Sequence, residues 1–125
     1  MRTRDERGEA VTETVVVVPA LLLLIMLVIQ FGLWYHAQHV VQAAAQEGVR
    51  AVRAEGATAE EGHERALAFI AQVGGKSVKG AEVASERSAE GATVRVNGEA
   101  PAVVPGLRLG VRATAASPVE EFTGP

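Results

Sequence analysis

Few residues in this 125-residue chain have the types and spacing that chemistry requires. His36 and His39 stand three apart, which places two imidazoles near one another on a helix, but no third ligand follows at metal-binding spacing. They fit polar residues at a boundary better than a metal pair. His63 lies beside Glu64 in a polar stretch and is expected to face solvent. Glu60, Glu61 and Glu64 gather at the start of a helical pattern, where they favour the helix macrodipole, and they lack the loop that calcium binding needs. Gly74-Gly75-Lys76-Ser77 resembles the end of a phosphate loop without its GxxxxGK spacing, and is expected to be a turn. There is no GxSxG or HExxH element, and the absence of cysteine excludes disulfides and thiolate chemistry. The residues therefore predict no enzyme, no metal and no cofactor. Twelve basic against 15 acidic residues, a net charge of −3, remove the case for a nucleic-acid partner.

One carboxylate stands apart because of the apolar run on its C-terminal side. After Glu13 and Thr14, the sequence from Val15 to Ile29 reads VVVVPALLLLIMLVI without a polar side chain, and beyond Gln30 it continues to Phe31, Leu33, Trp34 and Tyr35. Val15 to Tyr35 is 21 residues, about 31 Å of helix at roughly 1.5 Å per residue, which matches a hydrocarbon core of about 30 Å. A soluble chain of this size has too little remaining sequence to wrap such a cylinder on every side. The segment is expected to span a membrane, so membrane lipid is the first partner. Arg2, Arg4 and Arg7 precede it, whereas the next bases, Arg50 and Arg53, lie far beyond its other end. The positive-inside rule then places the N-terminus in the cytoplasm and the C-terminal part outside. Trp34 and Tyr35 form an expected interfacial belt at the outer surface. Cleavage as a conventional secretory signal is disfavoured, because the apolar run is long and ends in bulky residues instead of a small-residue site.

Within the span, Pro19 removes a backbone hydrogen bond and predicts a kink. Gly32 permits close approach of another helix, or is one of the glycines common in membrane helices. Glu13 has two readings from its position alone: a helix-start residue that reaches water, or a charge at the membrane edge that needs a partner.

A basic leader ending in Gly8, a glutamate five residues later and a long apolar helix together resemble the class III signal of type IV pilins and pseudopilins. In those proteins a prepilin peptidase cuts after the glycine on the cytoplasmic side and leaves the helix in the product. The stretch RGEAVTETVVVVPALLLLIMLVIQFG, Arg7 to Gly32, is more specifically similar to the TadE-like minor pseudopilins of tight-adherence (Tad/Flp) pilus systems. Shared features are the glutamate before the apolar block, Pro19 within it and the Gln30-Phe31-Gly32 exit. The resemblance is strongest over residues 7 to 53. It implies cleavage between Gly8 and Glu9, and a Glu13 carboxylate that pairs with the new Glu9 ammonium of a neighbouring subunit. It also implies the prepilin peptidase, other pilin or pseudopilin subunits and the Tad assembly platform as partners, and adherence as the purpose.

Beyond the belt, Ala37, Val41, Ala44, Gly48 and Val52 recur at spacings of three or four, with Gln38, Gln42, Gln46, Glu47, Arg50 and Arg53 placed elsewhere on the surface. One helix of roughly 40 residues, from the membrane to about Ala54, is expected. Its small-residue stripe suits either the chain's own head or a neighbouring helix, with a solvated stalk as the alternative. Glu55-Gly56-Ala57 ends the pattern. Thr58 then heads a capping box with Glu61, and Ala66, Phe69, Ile70 and Val73 form the apolar face of a short helix that stops at Gly74-Gly75.

Strands are expected over Ala81–Ser88, around Thr93–Val96 and from Leu107 onward, with a turn at Ala89-Glu90-Gly91. Asn97-Gly98 is a hairpin-turn signal, and Pro101 limits the segment after it to an edge or an irregular extension. The fold class expected is α+β and pilin-like: a long membrane and stalk helix, a short amphipathic helix, and an antiparallel sheet of about three strands. The divisions are a leader at 1–8, a membrane helix at 9–35, its continuation at 36–54, a head at 55–117 and a flexible tail at 118–125. With few large apolar residues and no disulfide, the head is expected to lean on the stalk helix or a partner.

Charge divides along the same lines. The first 53 residues carry five acids and five bases, and the remaining 72 carry ten acids against seven bases, so the net −3 belongs to the outer part. The functional expectation is a membrane-held, non-catalytic pilus-assembly subunit. The alternative is an uncleaved single-pass anchor whose outer domain binds another envelope protein.

Overall fold

The computed structural model describes residues 2–54 and 56–119, with side chains from Gly8 onward. Glu55, the end of the expected tail from residue 120, Met1 and the side chains of the leader arginines lie outside the described residues. Helix α1 runs Arg2–Arg53, 52 residues without a break at Pro19, and is about 78 Å long at 1.5 Å per residue. Helix α2 is Ala59–Gly74, and three strands follow: β1 Lys79–Arg87, β2 Ala92–Glu99 and β3 Gly110–Ser117. The sheet is antiparallel in the order β1-β2-β3. Its register pairs Val83 with Val96 across β1 and β2, and Val96 with Ala113 across β2 and β3.

The C-terminal half of α1 is the spine of the head. Ala37, Val40, Val41, Ala44, Ala45, Val49 and Val52 supply seven of the 16 buried apolar residues among those described, and every member of the expected small-residue stripe is buried. The sheet covers this face with Ala92, Val94 and Val96 of β2 and Val111 and Ala115 of β3, while Arg95, Asn97, Arg112 and Thr114 point outward. This period-two pattern keeps one sheet face dry and one wet. No aromatic side chain is buried among the described residues. The core is built from small residues that let α1, α2 and the sheet approach closely, and without α1 it would lose nearly half of its apolar content.

Helix α2 crosses α1 where two glycines meet. A side chain on Gly48 would lie 3.0 Å from the Gly62 carbonyl and 3.0 Å from Val94, and one on Gly62 would run into Val52 and lie 2.7 Å from the Ser85 hydroxyl. Thr58 caps α2 by accepting from the Glu61 amide at 3.3 Å. The buried line is Gly62, Ala66 and Ile70, four residues apart. Val73, expected on the apolar face, is 49% exposed because that line has already turned away from it by the last turn.

The carboxyl end of α1 is capped from the sheet. Arg87, last residue of β1, donates through Nη1 to the carbonyls of Val52 and Ala54, each at 2.6 Å. These are orphan acceptors at the negative end of the helix, so a cation is favoured there. Arg87→Met, which keeps the stem and removes the donors, is expected to lower head stability by about 2 kcal/mol, read as a lower midpoint in chemical denaturation in micelles.

Two expectations are corrected in the sheet. Asn97-Gly98 is not a turn: both residues sit inside β2, paired with Arg112 and Val111. Glycine is needed there because a side chain would collide with Val78 and lie 3.2 Å from the Lys79 carbonyl. The third strand begins at Gly110 and not at Leu107, and residues 100–109 form an irregular connection. The Ser88–Gly91 turn stands as expected, closed by the Ser88 amide on the Gly91 carbonyl at 2.8 Å.

Candidate functional site

The N-terminal half of α1 has no packing partner among the described residues. Val11, Val15–Val18, Leu21–Ile25, Leu27–Ile29 and Phe31 are exposed, and only 6% of the most apolar 18-residue window is buried. Water does not tolerate a contiguous apolar surface of this size, whereas a bilayer requires one. A helix buried in a soluble core would show the opposite burial, so the observed exposure fits a single-pass membrane anchor. Thr14 lowers its own cost in such a setting by donating its hydroxyl to the Ala10 carbonyl at 2.8 Å.

Gly8, Glu9 and Glu13 all lie exposed on the first turns of this helix. No atom comes within 4 Å of the position a Gly8 side chain would occupy. Packing therefore gives no reason for glycine at residue 8, although glycine costs a helix about 1 kcal/mol relative to alanine. Pro19 lies within the exposed apolar stretch, with α1 continuous on both sides.

At the other end of the span the structure brings together residues that the sequence leaves apart. Gln30 is 2% exposed, the one buried polar side chain among the described residues. Its Nε2 donates to the Pro101 carbonyl at 2.9 Å, and its Oε1 accepts from the amides of Val103 at 2.7 Å and Val104 at 3.3 Å. One turn on, the Trp34 indole donates to the Gly110 carbonyl at 3.3 Å. A further turn on, Gln38 clasps Arg112, donating to its carbonyl at 2.8 Å and accepting from its amide at 3.3 Å. Residues 30, 34 and 38 thus form one stripe of α1 that satisfies the backbone of the 101–112 segment. It occupies the free edge of β3, which would otherwise be open to pairing with another chain.

This stripe revises the roles of its members. Gln38 is not on the outward surface, as the spacing of the glutamines suggests, but is half-buried against β3. Trp34 is half-buried toward the head, whereas Tyr35 is 55% exposed. Tyr35 packs between Phe31, with centroids 6.4 Å apart, and His39, at 4.5 Å edge-on. That aromatic column faces outward at the level of the expected belt. His39 thus packs against Tyr35, and no group of three His, Asp or Glu residues able to hold a metal occurs among the described residues. His63 is likewise not solvent-facing: it is half-buried, with Nδ1 3.0 Å from the Val83 carbonyl. A carbonyl only accepts, so Nδ1 carries the proton.

The arrangement can do two things. It can hold a small head at the C-terminal end of a membrane helix, and it can present an unencumbered glycine and carboxylates at the N-terminal end. The missed signals were Gln30, Gln38 and Gly62. Only the interruption of an apolar run by Gln30 was visible in sequence.

No curated protein and no solved structure matches the chain. Residues 8–50, from the exposed glycine through the apolar helix to the stripe that carries the head, match the family model described as TadE-like protein, and over that segment the chain is similar to the TadE-like family.

Proposed function

We propose that the chain is a minor pseudopilin of a Tad/Flp pilus, cut after Gly8 by a prepilin peptidase and used in assembling an adhesive filament. The observation that carries this reading is the exposed N-terminal half of α1, headed by a glycine with no packing role, at the point where the TadE-like match begins. Membrane lipid, the peptidase, other pilin or pseudopilin subunits and the Tad platform are its partners. The leader lies in the cytoplasm and the head outside, in keeping with Arg2, Arg4 and Arg7 ahead of the span.

In this reading, hydrolysis of the Gly8–Glu9 amide leaves a carboxylate on Gly8 and an ammonium on Glu9. The mature chain then begins one helical turn before Glu13. The Glu13 carboxylate of one subunit pairs with the Glu9 ammonium of the next as the helices are drawn together in lipid. An unpaired acid costs about 2.5–3.5 kcal/mol at mid-bilayer and less at the edge, so pairing favours one axial register over its neighbours. Pro19 gives the packed helices a local adjustment point, because it cannot donate to the Val15 carbonyl.

Glu13→Ala is the test. Cells carrying it are expected to process the chain normally but to lose most surface filaments. Filament numbers equal to wild type would eliminate the charge-pairing step. The second reading, an uncleaved anchor that binds an envelope protein, is favoured by the rigid head and would leave both processing and filaments indifferent to Gly8→Leu.

A further inference from the structure

We propose that the segment Ala100–Leu107 is a membrane-inserting loop that seats the head in the outer leaflet of the bilayer. The inference rests on α1 crossing a membrane, and is independent of cleavage at Gly8. Three observations converge on it.

The first is length. The uninterrupted apolar stretch ends at Ile29, so Val15–Ile29 is 15 residues, or about 22 Å, against a hydrocarbon core of about 30 Å. The remainder of the span falls on residues 30–35, where the head is already attached through Gln30 and Trp34. A head standing clear of the lipid would leave the span about 8 Å short.

The second is composition. Ala100-Pro-Ala-Val-Val-Pro-Gly-Leu107 contains no polar side chain, between Glu99 on one side and Arg108 on the other. Val103 is 38% exposed, and Ala102, Pro105 and Gly106 are exposed with it. The hydrogen bonds to Gln30 hold Val103 at a helix level one turn closer to the membrane than Trp34. The exposed ring of Phe31, the residue after Gln30, continues the exposed apolar surface of the span at the same level of α1.

The third is backbone pairing. Irregular chain approaches lipid at lower cost the more of its polar groups are satisfied internally, and four of this loop's six amides and two of its eight carbonyls are. Here the amides of Val103 and Val104 are taken by Gln30, as is the Pro101 carbonyl. The Ala100 amide reaches the Leu109 carbonyl at 2.9 Å and the Leu107 amide reaches Val104 at 3.2 Å. Pro101 and Pro105 have no amide hydrogen to satisfy. Gln30, the polar interruption of the span, is in turn hidden from lipid by the loop it binds.

The chain has no cysteine, so single cysteines can be placed and labelled with a nitrobenzoxadiazole fluorophore in the full-length protein. The vesicles are phosphatidylethanolamine and phosphatidylglycerol containing spin-labelled phosphatidylcholine. Val103→Cys reports the loop, Leu22→Cys the membrane helix, and Glu90→Cys the distal turn, a β2 length away. Shallow spin labels are expected to quench the Val103 probe at least twofold more than the Glu90 probe. Equal quenching at 103 and 90, with Leu22 quenched by deep labels, would overturn the inserted loop and leave the anchor intact. An unquenched Leu22 probe would remove the membrane reading itself. Pyrene excimers at residue 103 without lipid quenching would assign the loop to a second copy of the chain, and equally overturn the proposal.

Discussion

Gly62→Val is expected to undock α2 from α1 and to open most of the head. A β-carbon at residue 62 would collide with Val52 and press on Ser85 and on the Gly48 carbonyl 3.0 Å away. Two of those neighbours are backbone or a stiff β-branched side chain, so relief requires the helices to move apart. Overpacking of this kind typically costs about 1–3 kcal/mol, and valine adds two methyl groups to the first clash. The gain in helix propensity from losing glycine, less than about 1 kcal/mol, does not offset it. Small heads without disulfides have little stability in reserve, so valine is expected to leave the head largely unfolded while α1 stays in the membrane. Trp34 is the chain's single tryptophan and half-buried against the head, which makes its fluorescence the natural reporter. Gly75→Ala is the matched control, since nothing lies within 4 Å of a side chain there, and its unfolding midpoint is expected to stay at or slightly above wild type.

Gln30→Leu separates the two halves of the molecule in the opposite sense. Leucine is the better membrane residue, so insertion of the helix should improve or stay unchanged. The loop, however, loses three hydrogen bonds and leaves the Val103 and Val104 amides and the Pro101 carbonyl without their partners. Each abandoned buried group costs about 1–3 kcal/mol. A combined loss of about 3 kcal/mol corresponds to roughly a hundredfold change in an equilibrium. Amide exchange at Val103 and Val104 should therefore accelerate on that order, with resistance to carbonate extraction retained. Gln42→Leu, on the exposed side of the same helix, should change neither. Equal exchange in Gln30→Leu and wild type would show that the amide clasp does not hold the loop.

These two residues also mark where sequence reasoning stops. The long helix, the capped helix beginning at Thr58 and three alternating strands were legible because each rests on local periodicity. So was the dependence of the head on α1, since too few large apolar residues remained outside it to fill a core. The Gln30–Val103 and Gln38–Arg112 pairs lie 73 and 74 residues apart, and no local pattern records such a meeting. Asn97-Gly98 misled for the complementary reason: its dipeptide favours a turn, but glycine there serves the close approach of Val78 to β2. Gly8 was legible only through the resemblance to pilin signals, and the structure adds that no contact within the chain requires it.

The most direct test is the intact mass of the chain recovered from membranes of cells that express a working prepilin peptidase. The account predicts a mature chain beginning at Glu9, with Met1–Gly8 removed, and an uncut chain when Gly8 is replaced by leucine. A wild-type chain that keeps its leader, in cells whose peptidase processes another pilin, would contradict it.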